Sequence, residues 1–252
     1  MIKNTTTTAL TLLVLLASST VAAESAAERE EWRETLVEVK LGLSDGSISV
    51  DDAADRILAA LAQAEGHLSP LEVAETLDRI GPLLRDPEES LRLLNRSYAI
   101  KEAEVGPRSA EVAKTLLLIA SAQDSAHARK VSARREAGHA VTDEDYFRGS
   151  ESFSTRHRAL SIRQEVFGSS SCEAGEVQAL LALHYKALGK IGKAEKMLRE
   201  ILTYCPPPTD ENGKIDSAEH STGFGAFASL SEILRSQGRD AELEELEAQY
   251  NW

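Results

Sequence analysis

The strongest constraint on this chain is that it matches itself. At an offset of 62 residues, SYAIKEAEVG at 97–106 lies over ALSIRQEVFG at 159–168, ending on Gly106 and Gly168. The register continues with Ser109 over Ser171, Glu111 over Glu173 and Ile119-Ala120 over Leu181-Ala182. At an offset of 39, EVAETL at 72–77 matches EVAKTL at 111–116, and Ile80-Gly81 matches Ile119-Ala120. At an offset of 49, Leu181-Ala182 and Gly189-Lys190 match Leu230-Ser231 and Gly238-Arg239. Matches in one consistent order mark a repeat array, in which each unit buries its apolar face only against its neighbours.

Each unit reads as a pair of helices. Ser69-Pro70-Leu71-Glu72 combines a capping serine, a proline at the first helical position and an acid that reaches back to the cap. Asp86-Pro87-Glu88-Glu89 repeats that grammar for the next helix. Within it Ser90, Leu93, Leu94, Ser97, Tyr98 and Ile100 fall near the three-to-four spacing of one buried face. Gly106 and Gly168 stop helices, and Gly189 and Gly238 turn one helix into its partner. Gly81, Ala120, Ala182 and Ser231 are small where two helices approach closely. Aromatic residues are 5% of the chain, which favours helices over a sandwich or barrel.

These features resemble the tetratricopeptide repeat (TPR), in the 42-residue form of kinesin light chains. Val177 to Tyr185 with Gly189, Ala194-Glu195 and Leu198 matches that pattern over both helices; 87–100 and 158–163 match its second helix. The resemblance covers roughly residues 67–247 and implies an all-α, right-handed superhelix of about four TPR-like hairpins, preceded by a further helix pair. The expected organisation is a signal peptide at 1–23, a helix pair at 24–66 split by 44–49, and a repeat domain at 67–250. The spacing from small residue to second helix is 12 in the third and fourth units, 9 in the first and 30 in the second. The second unit therefore carries an insertion at about 121–149, and the fourth, with Asp240 and Leu243 at atypical positions, reads as a terminal cap.

Lys3, the apolar run from Ala9 to Ala17 and the small residues Val21-Ala22-Ala23 are the parts of a cleavable signal, cut after Ala23. Nine residues are too few to span a bilayer, which needs roughly 20. The expectation is a periplasmic or secreted protein without a stable membrane anchor. In an oxidising compartment Cys172 and Cys205 are candidates for a disulfide, the alternative being two free thiols. They flank the third helix pair, and antiparallel pairing brings those two ends to the same side.

In stacks of this kind the first helix of each pair lines an inner groove. The two family positions that often carry asparagines are here Asp78-Arg79, Leu117-Leu118, Ala179-Leu180 and Ala228-Ser229. The resemblance thus implies a groove charged at one end and apolar in the middle, suited to an apolar helix or strand. The alternative is that the leucines only pack between helices.

The net charge is −13, but 125–168 carries eight basic and six acidic side chains while both flanks are acidic. Arg129, Lys130, Arg134 and Arg135 in this segment are either a docking patch for an anionic surface or the solvated face of an overlong helix. So acidic a chain lacks the basic face of a general nucleic-acid binder. No nucleophile–base or phosphate-loop motif is present, His184 occupies a core-like repeat position, and Thr222-Gly-Phe-Gly225 reads as close packing rather than a dinucleotide fingerprint. The expected function is a non-catalytic protein-interaction scaffold with an unidentified protein or peptide partner and no cofactor or metal. Two alternatives stand: an enzyme or enzyme-regulating subunit using His139, Asp143 and Asp145 of the insertion, and a structural subunit of an envelope assembly.

Overall fold

The computed structural model describes residues 29–42, 45–209, 215 and 221–251. The signal segment expected at 1–23 lies outside the described residues. The chain divides into two compact units between Asp86 and Pro87, within what the repeat reading takes as its first helix pair.

In the first unit, helix α1 (29–42) buries Trp32 and Val39. Helix α2 (Val50–Ala64) starts at Ser49, whose hydroxyl accepts from the Asp52 N–H at 3.1 Å. Helix α3 (Pro70–Ile80) has the expected capping box: Ser69 accepts from the Glu72 N–H, and Glu72 accepts from the Ser69 N–H at 2.8 Å. Those two bonds satisfy donors that a helix start leaves orphaned. After Ile80 the chain tightens into a 3₁₀ turn at Gly81–Leu83 and becomes extended at Leu84.

The second unit stacks α4 (Pro87–Val105), α5 (Ala110–Glu136), α6 (Ser152–Phe167), α7 (Cys172–Ala187), α8 (Ile191–Tyr204), α9 (Thr222–Ser236) and α10 (Asp240–Gln249). Each packs on its sequence neighbour, and α7 also packs on α9. Two local signals alternate along this stack. First helices α5, α7 and α9 are entered through Ser109, Ser171 and Ser221, each accepting the N–H three residues on at 3.1–3.2 Å. Second helices α8 and α10 follow tight turns in which Gly189 and Gly238 have φ of 70° and 66°. At such positive φ a side chain would be strained, so glycine sets the hairpin.

Ala120 and Ala182 are fully buried, as are Ala159 and Ala194 on the second helices. One apolar cluster joins α4, α5 and α6 around Leu94, Val112 and Ile119. A second joins α7 to α10 around Leu198, Ile201, Leu230 and Ile233. Small residues on the facing rows let the leucines interlock, which maintains core density with few aromatics.

The insertion is an extension of the repeat. Helix α5 runs 27 residues, about 40 Å, and continues to Glu136. The chain returns through a 3₁₀ turn, Asp143–Tyr146, which packs back on α5. There His127 Nε2 lies 2.9 Å from the Asp145 carbonyl oxygen.

Candidate functional site

Alignment on the small residues puts Leu117, Ala179 and Ala228 at one level of the first helices, with Ser121, Leu183 and Glu232 one turn further on. In the second unit Leu117 and Leu118 are half-buried against the α4–α5–α6 core, so part of the apolar character expected of a groove is used in packing. Ala179 packs on the following cluster and Leu180 is half-buried. Leu183, which the two-position reading passes over, is 40% exposed, and Ala228 is exposed. Lys186 of α7 and Glu232 of α9 form an ion pair at 2.7 Å beside Leu183.

In the first unit the expected charged positions separate. Arg79 is exposed and lies 3.8 Å from Glu75. Asp78 is buried, with 7% exposure, and sits one turn after the fully buried Ala74 on the same row.

The basic segment lies on the solvated side of α5. Arg129, Lys130, Arg134 and Arg135 are all exposed, and Lys130 reaches Glu88 at 3.2 Å. His139 is exposed, while Asp145 caps Thr142, accepting from its N–H and hydroxyl at 2.8 Å. Hydrogen bonding from that backbone N–H holds the Asp145 carboxyl below the usual range.

A polar cluster that the sequence does not announce pins the start of α6. Ser150 donates to Asp124 Oδ1 at 3.0 Å and Ser152 at 2.5 Å, and Arg156 donates to Asp124 Oδ2 at 2.5 Å. Burial alone would raise the Asp124 carboxyl, but the bonds from Arg156 and Ser152 together hold it below the usual range. Next to this cluster His184 is 5% exposed, packed on Phe153 and Phe147, and its Nδ1 has no hydrogen-bond partner.

Burial, then repulsion from Arg156, keeps His184 below the ordinary histidine range despite the opposing Asp124 charge. The unfolded chain takes up that proton at about pH 6.5 whereas the folded chain resists it. The stability that neutral His184 contributes is therefore complete above about pH 6.5 and declines as pH falls through the folded value. We expect the fall in Tm between pH 7.5 and 5.5 to shrink in His184→Leu. Equal falls in both proteins would show that this histidine is not the group responsible.

Cys172, at the first position of α7, and Cys205, the residue after α8, are joined with a Cα–Cα distance of 5.3 Å. The N-terminus of α9 packs on the same junction: Thr222 donates to the Cys172 carbonyl at 3.2 Å. Among the described residues no group of three His, Cys, Asp or Glu side chains is placed to hold a metal ion. Nor is any helix there long and apolar enough to cross a membrane.

No protein-family profile matches the chain, and no curated relative does. Solved structures do. The nearly identical TPR-like repeats of a Podosopora anserina protein assigned as a kinesin light chain are 16% identical, cover 88% of this chain and 93% of their own, and give a TM-score of 0.53. A point variant of those repeats gives 0.54 at the same identity and coverage. At this identity the likeness establishes the fold.

Proposed function

We propose that this chain, a TPR-like repeat protein, is an exported, non-catalytic scaffold that binds a partner protein on the first-helix face of its second unit. The observation that carries this reading is Leu183, exposed on α7 between the half-buried Leu117 row of α5 and the exposed Ala228 of α9. Leu117, Leu183 and Ala228 at these positions carry no side-chain hydrogen-bonding group. That suits the apolar side of a helix or strand better than an extended peptide held through its backbone. Asp145 is engaged in capping Thr142, which argues against the insertion as a catalytic centre.

Export is supported by the charged, apolar and small-residue sequence of the first 23 residues and by the Cys172–Cys205 disulfide, a bond favoured in oxidising compartments. The basic stretch of α5, with Arg129, Arg134 and Arg135 exposed, is read as its solvated face.

The test is affinity capture from the native cell envelope with wild type and a Leu183→Glu/Ala228→Glu double variant. Both positions are exposed, so the variant should fold, as circular dichroism would verify. The protein retained by wild type should be lost at least tenfold from the variant. Equal retention by a folded variant would remove this face from the account.

A further inference from the structure

The overlong α5 creates a space that a regular repeat lacks. Helices α7 and α9 end five residues beyond their small residues Ala182 and Ser231, whereas α5 runs sixteen beyond Ala120. Its extra turns, the N-terminal turn of α4 and the returning chain at Gly149–Glu151 enclose an open cleft of about 340 Å³. Leu91 and Ala126 supply apolar wall. Around them stand Glu88, Lys130, His127 and Glu151.

These groups differ in how far the fold uses them. Glu88 and Lys130 neutralise each other at 3.2 Å. His127 donates its Nε2–H to the Asp145 carbonyl, which leaves Nδ1 as a hydrogen-bond acceptor. Glu151 is exposed, and among the described residues no cation lies within ion-pair distance of it. Its one side-chain contact is a long 3.4 Å bond from Gln123. The cleft therefore offers a net negative charge, a ring acceptor and a short apolar wall.

We propose that this cleft binds an alkylammonium group, from a small free amine or from a lysine side chain. The ammonium donates to Glu151 and His127 Nδ1, and its alkyl stem lies against Leu91 and Ala126. A carboxylate ligand would have to displace Glu88 from Lys130 and would meet Glu151 unpaired, so anions are disfavoured.

Isothermal titration of the mature chain at low ionic strength, with 1,4-diaminobutane and with N-acetyl-lysine methylamide, tests this. Saturable binding of either supports the site, and the tighter of the two identifies the source. Glu151→Gln should weaken binding at least tenfold. Lys130→Ala, which removes a repelling charge from the cleft, should strengthen it several-fold. Glu245→Gln on the exposed side of α10 is a charge-matched control and should change nothing. No saturable binding of either amine, equal binding of butan-1-ol or succinate, or equal effects of Glu151→Gln and Glu245→Gln would each overturn the proposal.

Discussion

Gly223→Ala should destabilise the second unit by about 3 kcal/mol, while Gly225→Ala, two residues along the same helix, should be neutral or stabilising. A Cβ on Gly223 would lie 2.4 Å from the carbonyl carbon and oxygen of Pro206 and 2.5 Å from the Cys205 oxygen. These are backbone atoms, so relief requires α9 to move off the end of α8 rather than a side chain to rotate. The movement would also strain the Thr222 bond to Cys172. A Cβ on Gly225 meets nothing within 4 Å, so alanine there only gains helix propensity, about 1 kcal/mol. In thermal unfolding the first variant should lose about 6–12 °C and the second should not fall. Similar shifts in both would mean that α9 does not dock on the Cys205–Pro206 backbone.

Removing the disulfide should have an effect of the same size. The bond closes a separation of 33 residues. The loop-closure entropy it removes from the unfolded chain corresponds to about 3–4 kcal/mol. Cys172→Ser/Cys205→Ser should lower the unfolding free energy in denaturant titration by that amount, and wild type in reductant should match the double variant. The variant itself should be insensitive to reductant. An unfolding free energy unchanged by both treatments would show that the bond contributes nothing to this fold. Because Cys205 is 4% exposed among α7–α9 contacts, the loss should be greatest at the α7–α8–α9 junction, where hydrogen exchange can localise it.

What the sequence made legible follows from how far each signal reaches. The Ser69–Glu72 capping box and the turns at Gly189 and Gly238 depend on residues within four positions, so they stand in the structure as read. The small-residue rows at Ala120, Ala182 and Ser231 were legible because a repeat displays the same packing requirement several times. The cysteine pairing followed from that, since helix pairing brings the two ends together.

The remainder depends on contacts that the repeat does not encode. Asp78 looks like a surface position in a helix with charged neighbours, yet it shares the row of Ala74 and is buried. Leu183 lies one turn past the positions where family members carry asparagines, and only its actual neighbours determine that it stays exposed. Asp124 and Arg156 are 32 residues apart across the insertion in the second repeat, so no periodicity links them. For the same reason the cleft beside His127 and Glu151 had no counterpart elsewhere in the chain to reveal it.

Whether a partner protein covers the first-helix face of the second unit can be read by site-specific photocrosslinking in intact cells. A photoreactive residue would replace Leu183 or Ala228 on that face, and Lys196, exposed on the second helix α8, as the control. One discrete adduct is expected, the same protein from positions 183 and 228, and none from 196. Adducts from 196 alone, or equal yields at all three positions, would contradict it.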